Sequence, residues 1–156
     1  SLKPAAAQSQ VFIHIDCQPL CIKANVQQMK ELLTNLVGNA VKYNHPGGQV
    51  WVTIREQDGQ MVIRVRDNGV GIPEESLDRI FERFYRTDSS RNSRQGGSGI
   101  GLAIVKKIIE DHKGKIWAES VEGEGTAMHI NLLKYKDNSH YCIEDKSGKK
   151  SAKGLR

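Results

Sequence analysis

Two periods of apolar residues organise the chain. Val11, Ile13 and Ile15 alternate with Phe12 and His14, and this period of two predicts a strand. From Val26 the period lengthens. Val26, Met29, Leu33, Leu36, Val37 and Ala40 recur at spacings of three and four, which predicts one buried face of a helix. That helix ends near Tyr43, where Asn44-His45-Pro46-Gly47-Gly48 breaks it. Two alternating runs, 50–56 and 61–66, flank Gln57-Asp58-Gly59-Gln60, and the Asp-Gly pair between them predicts an antiparallel hairpin.

The second run leads straight into DNGVGIP. A short helix is expected over 74–81, with Pro73 near its first turn. Residues 87–98 are polar and aperiodic, and are expected to form a mobile loop. A second amphipathic helix is expected over 100–112, stopped at Gly114. Strands follow at 115–120 and 126–133, around the turn VEGEG. No internal repeat is present. This order is neither a βαβ alternation nor an all-β pattern. It predicts an α+β fold, a mixed and mostly antiparallel sheet with helices packed on one face.

Composition narrows the class. The 156 residues, 38% hydrophobic and 26% charged, suit one domain with a real core. No apolar run reaches the ~18 residues of a membrane span. Three unclustered cysteines exclude a disulfide scaffold and fit a reducing compartment. The net charge of +5 invites a nucleic-acid reading, but its location does not support one. Residues 136–156 hold six basic and three acidic side chains, which accounts for +3 of the +5. That segment reads as a polar, disordered, solubilising tail rather than a nucleic-acid contact. The expected organisation is a linker remnant over 1–10, one domain over 11–135 and the tail over 136–156.

Three elements could carry chemistry. Asn35, Asn39 and Lys42 share one face of the long helix, and two asparagines in a helix interior call for a reason. An amide oxygen can ligate Mg²⁺ and a lysine can neutralise phosphate, although a solvated face would use the same residues. Asp67-Asn68-Gly69-Val70-Gly71 could be a tight turn. Alternatively, its glycines let a ligand approach the backbone while the Asp67 carboxylate accepts a hydrogen bond. Adenine offers a donor at its exocyclic amino group where guanine presents a carbonyl, so that pairing predicts adenine preference. The glycine run of GGSGIGL, 96–102, enters a helix whose N-terminus attracts anions. It lacks the Gly-Lys-Ser/Thr of a Walker loop, and a flexible hinge is the plain alternative. Cys17 and Cys21 have no second pair, and read as buried or incidental rather than metal ligands. Met29 and Met61 read as core, and Trp51 and Trp117 as packing residues.

NLVGNAVKY at 35–43, DNGVGIP at 67–73, FERFYR at 81–86 and GGSGIGLAIV at 96–105 occur in this order, and with them the chain resembles the catalytic ATP-binding domain of sensor histidine kinases. They look like the N, G1, F and G2 boxes of that family, and Gly123-Glu124-Gly125-Thr126 looks like its final glycine turn. The resemblance spans about residues 11–133. It implies a two-layer sandwich of the Bergerat type, with ATP held between the helix layer and a mobile lid. Carried over onto these positions, Asn39, with Asn35 close by, would hold Mg²⁺ and phosphates, and Lys42 would contact phosphate. Tyr43 would border the base and Asp67 would bind the adenine amino group. Gly69, Gly71 and Ile72 would shape the base pocket, with Thr126 supporting it. Gly97, Ser98, Gly99, Ile100, Gly101 and Leu102 would wrap the triphosphate. Arg83 and Arg86, with Arg91 or Arg94, would neutralise charge on the transferred group. Phe81, Phe84 and Tyr85 would clip the lid to the core.

The same fold serves ATP-hydrolysing topoisomerases, mismatch-repair proteins and chaperones. Those relatives carry a Glu four residues before the metal-binding Asn, as the base that activates water. Here that position is Asn35, and Glu31, one turn back, reads as surface. The resemblance therefore favours transfer over hydrolysis. None of the five histidines stands in a phosphoacceptor context. The resemblance accordingly implies a histidine-bearing dimerisation domain outside these residues, a response regulator as partner, and a cytoplasmic location as part of a membrane-bound sensor. A Ser/Thr kinase of the same fold and a nucleotide-binding scaffold without transfer remain alternatives.

Overall fold

The computed structural model describes residues 3–18, 20–22, 24–86, 101–133 and 141–143. The elements in chain order are α1 (Lys3–Ser9), β1 (Phe12–Cys17), β2 (Leu20–Ile22), α2 (Val26–Lys42), β3 (Gln49–Gln57), β4 (Gln60–Asp67), a 3₁₀ turn (Glu74–Ser76), α3 (Gly101–Asp111), β5 (Lys115–Val121), β6 (Gly125–Leu133) and β7 (Tyr141–Ile143). Five strands form one sheet in the order β1-β3-β4-β6-β5. β1 runs parallel to β3, and the other pairings are antiparallel. The expected mixed, mostly antiparallel sheet with helices on one face is the observed fold.

Local chemistry explains the elements. The side chain of Asn25 caps α2 by accepting the Gln28 N–H at 3.0 Å. Lys42 in the last turn suits the negative end of the helix dipole. The β3–β4 hairpin pairs Gln57 with Gln60 across Asp58 (φ 50°) and Gly59 (φ 76°), so both turn residues take the positive φ that a tight hairpin of this twist requires.

The core lies between the sheet and the helices. Val50, Val52 and Ile54 of β3, Met61, Ile63 and Val65 of β4 and Met128, Ile130 and Leu132 of β6 meet Leu32 and Leu36 of α2 and Val105 and Ile109 of α3. The buried stripe of α2 is Leu32, Leu36, Val37, Ala40 and Val41, centred on the predicted face but broader, with Leu32 and Val41 flanking it on either side. Met29 and Leu33 are only partly buried and Val26 is 40% exposed. The breadth follows from position. α2 touches α1, α3 and the sheet together, so its buried stripe is wider than a single-sided pattern implies.

Other elements also depart from the expected pattern. In place of a linker over residues 1–10, Lys3–Ser9 is helical, and Ala6 and Val11 are buried in the core. Alanine is the best helix former, and a small residue lets α1 sit close to its neighbours. Only Glu74–Ser76 of the expected 74–81 helix forms, as a 3₁₀ turn. Within the segment expected to be a disordered tail, Tyr141–Ile143 pairs antiparallel with β2. Trp51 and Trp117 lie on the sheet face away from the helices. Trp117 stacks on His129 at 5.2 Å, and Trp51 lies between His14 at 5.9 Å and the Arg66 guanidinium at 4.4 Å. Among the described residues, no helix is long and apolar enough to cross a membrane.

Candidate functional site

α2 is the spine of the site. At its C-terminal end the Tyr43 carbonyl accepts the Val70 N–H at 3.0 Å, which seats the DNGVG loop on the helix. A Cβ on Gly69 would lie 2.3 Å from that carbonyl, so only glycine permits the approach. Eight residues earlier, Asn35 Oδ1 sits where a Cβ on Gly101 would come within 2.8 Å, at the start of α3. The long helix thus meets both glycine segments, at points about 12 Å apart at 1.5 Å per residue.

The asparagines of α2 differ in what they have available. Asn35 Nδ2 donates to the Glu31 carbonyl of its own helix at 2.9 Å, and its oxygen faces Gly101. The side chain of Asn39 is half-buried and makes no hydrogen bond among the described residues. Lys42 Nζ lies 5.1 Å from the centre of the Tyr43 ring. Glu31 is exposed, as expected. Among the described residues no group of three or more His, Cys, Asp or Glu could hold a metal ion.

Asp67 ends β4, opposite Thr126 of β6. Its carboxylate accepts the Gly69 N–H at 2.9 Å. Burial raises its pKa above the ordinary value, against the lowering effect of backbone hydrogen bonds from Gly69 and Thr126. The anion is therefore incompletely compensated, and a further donor would stabilise it. The surrounding loop is pinned by close backbone contacts. A Cβ on Gly71 (φ 71°) would lie 2.3 Å from the Val121 carbonyl, and one on Gly125 (φ 132°) would lie 2.1 Å from the Asp67 carbonyl. Asn68 Oδ1 accepts the Gln49 N–H at 2.7 Å and an amide hydrogen of Asn44 at 3.3 Å, which ties the loop to the turn after α2.

Ser120 is a site residue that the sequence reading misses. Its hydroxyl lies 2.8 Å from the Ile72 nitrogen, the Gly125 carbonyl and the Thr126 hydroxyl, and so joins both sides of the pocket. A signal for it exists. Positions 120 and 126 are equidistant from Gly123 in the predicted hairpin, which pairs them across the turn.

The aromatic box divides. Phe81 and Tyr85 pack against the core, and the Tyr85 hydroxyl donates to the buried Ser76 at 2.9 Å. Among the described residues, Phe84 does not pack against the core. It is 64% exposed at φ 65°, beneath the Arg83 guanidinium at 5.5 Å. Arg83 is exposed and Arg86 half-buried, while Leu102 packs against the core in the first turn of α3. Gly97, Ser98, Gly99, Ile100, Arg91, Arg94 and the expected loop over 87–98 lie outside the described residues, as does the Cys21 side chain. Cys17 contacts the Gln18 carbonyl at 3.6 Å.

The model of the family described as "Histidine kinase-, DNA gyrase B-, and HSP90-like ATPase" matches residues 24–136. The chain is 41% identical over 130 residues to the sensor protein kinase WalK of Staphylococcus epidermidis (strain RP62A), a match that covers 81% of this chain and 21% of WalK. It thus spans about a fifth of the length of this curated relative. The structure superposes on a mycobacterial sensor histidine kinase, MprB, with a TM-score of 0.76 and 29% identity, covering 85% of this chain and 90% of that one. Full-length ShkA in complex with AMPPNP matches with a TM-score of 0.74 and 29% identity, over 86% of this chain and 28% of ShkA. The matched span takes in α2, the DNGVG loop and the strands that frame it, and the chain belongs to the family of histidine kinase-, DNA gyrase B- and HSP90-like ATPases.

Proposed function

We propose that this chain is the ATP-binding catalytic domain of a sensor histidine kinase, and that it passes the γ-phosphoryl group of ATP to a histidine nitrogen of a dimerisation domain outside these residues. The observation that carries this reading is the half-buried Asp67 carboxylate at the end of β4, which accepts the Gly69 N–H beside the close-packed glycines of its loop and which an adenine amino group would address as a further donor. That full-length ShkA, to which this chain is similar, forms a complex with AMPPNP supports a nucleotide as the ligand. In this reading Asp67 selects the base, and Gly69, Gly71, Ile72 and Thr126 shape its pocket. Tyr43 borders it, and the segment 97–102 wraps the phosphates.

Asn39 fits Mg²⁺, because that cation takes few protein ligands and completes its shell with water and phosphate oxygens. When bound with ATP, Mg²⁺ would neutralise phosphate charge. Lys42 adds a positive charge on the same face, and Arg83 and Arg86 can bring guanidinium groups to the transferred phosphoryl. Position 35 carries an amide that cannot take a proton and is already bonded to Glu31, so α2 lacks a base there for activating water. This favours transfer over hydrolysis. The parent would be a membrane-bound sensor with this domain in the cytoplasm, acting on a response regulator.

The test is a calorimetric titration with AMPPNP, with and without Mg²⁺ and with a GTP analogue as control, followed by phosphotransfer to the parent's histidine-bearing domain. Adenine-selective binding and an acid-labile phosphoryl bond are expected. An acid-stable product would assign a Ser/Thr kinase, and binding without transfer would assign a scaffold.

A further inference from the structure

A single polar row crosses the end of the otherwise apolar helix-facing side of the sheet. Asp67 of β4 lies opposite Thr126 of β6, and Thr126 lies opposite Ser120 of β5. Ser120 Oγ is 2.8 Å from each of three atoms: the Ile72 nitrogen, the Gly125 carbonyl oxygen and Thr126 Oγ1. A serine hydroxyl has one proton and two lone pairs. The Ile72 N–H can only donate, and the Gly125 carbonyl can only accept. One arrangement alone makes all three bonds together. Ser120 donates to Gly125, accepts from Ile72 with one lone pair, and accepts the Thr126 proton with the other. Thr126 has then committed its only proton, and its remaining lone pairs can only accept. Thr126 is 8% exposed, so water has little access to reorient that hydroxyl.

We infer that Ser120 is a specificity-determining residue for the base. By holding the Thr126 hydroxyl as an acceptor beside the Asp67 carboxylate, it gives this wall of the pocket acceptors only, which admits a 6-aminopurine and rejects a 6-oxopurine. Ser120 acts through Thr126 and the Ile72 backbone, so it is a positioning residue that does not itself touch the ligand. The inference rests on the nucleotide-binding reading above. It adds to that reading a second determinant, separate from Asp67 and on a different strand.

The experiment compares the affinities of the full chain for ADP and IDP, whose bases differ in the amino or oxo group at position 6 and in the proton that the oxo form carries on N1. The wild-type chain should prefer ADP. In Ser120→Ala the Thr126 hydroxyl regains its proton for donation to a carbonyl, and the ADP-to-IDP preference should fall roughly tenfold, the value of about one hydrogen bond. Ser120→Cys, of similar volume but with a weak sulfur partner, should relax the preference in the same direction, and Ser120→Thr, which keeps the hydroxyl, should retain it. In a Thr126→Val background, Ser120→Ala should leave the ratio unchanged, because no hydroxyl remains to turn. A purely structural role would lower both affinities together and leave the ratio as it was. That result in the Ala and Cys variants overturns the inference while the nucleotide reading stands. A wild-type chain that binds neither nucleotide overturns both.

Discussion

Replacing Asp67 with asparagine tests the site with little change of shape. The carboxylate offers about four lone-pair positions, and backbone N–H groups from Gly69 and Thr126 address it without fully compensating its burial. The substituted amide would keep one acceptor oxygen, enough for the Gly69 N–H, and would turn an NH₂ group toward either Thr126 or the incoming amino group. Donor would then face donor. The loss is one hydrogen bond to a charged acceptor, about 2 kcal/mol, or roughly a thirtyfold weaker dissociation constant for ADP.

The sign with pH follows from the raised pKa. The folded chain holds the Asp67 proton more tightly than the unfolded one. Its stability therefore declines as pH rises from the unfolded carboxylate value through the raised folded value. Affinity for an amino donor runs the opposite way and grows through the same window as the acceptor ionises. Asp67→Asn should remove both dependences, so the free variant is no less stable at neutral pH while its affinity falls. Calorimetric titrations of ADP across the acidic range, paired with thermal melts, read both quantities. A folded variant within threefold of wild-type affinity, or a wild-type affinity flat with pH, would refute the assigned role.

Asn39→Ala should abolish the Mg²⁺-dependent part of ATP-analogue affinity and leave the metal-free part nearly unchanged; an equal loss under both conditions would count against Asn39 as the metal ligand. Leu32→Ala removes a fully buried side chain of α2 and should cost about 3 kcal/mol in urea unfolding, whereas a cost below about 1 kcal/mol would mean that the helix does not pack as described. Gly125→Ala places a Cβ against the Asp67 carbonyl at a φ that L-residues avoid. It should cost about 3 kcal/mol or more and weaken nucleotide binding as well, so an unchanged melting temperature would contradict that loop geometry.

Much of this molecule is legible in the sequence because its signals are local. The Asp-Gly pair at 58–59 specifies a turn by its own φ preferences, and the alternation on either side carries the register outward to Val50 and Asp67. Asn39, Asp67 and Gly69 stand out because each residue type is unusual for its element unless it meets a ligand or a close backbone. Phe84 differs from its neighbours in a way that box aromatics do not reveal in sequence, since the backbone turn at φ 65° sends it outward while Phe81 and Tyr85 pack inward.

What the sequence determined by itself was the strands of the main sheet, the ends of the long helix and the chemical types that line the site, since each depends on residues within a few turns of one another. The tertiary structure alone decided that β6 lies between β4 and β5, and that β1 joins the edge of the sheet in parallel. It likewise set how wide a stripe of α2 is buried and brought Ser120 within reach of Ile72. The physical reason is range. The bond from Ile72 to Ser120 spans 48 positions, and the Gly101–Asn35 approach spans more. Such contacts form only after loop closure has brought separate strands and helices together. A serine in a strand has no distinguishing local pattern until its cross-strand neighbours are known.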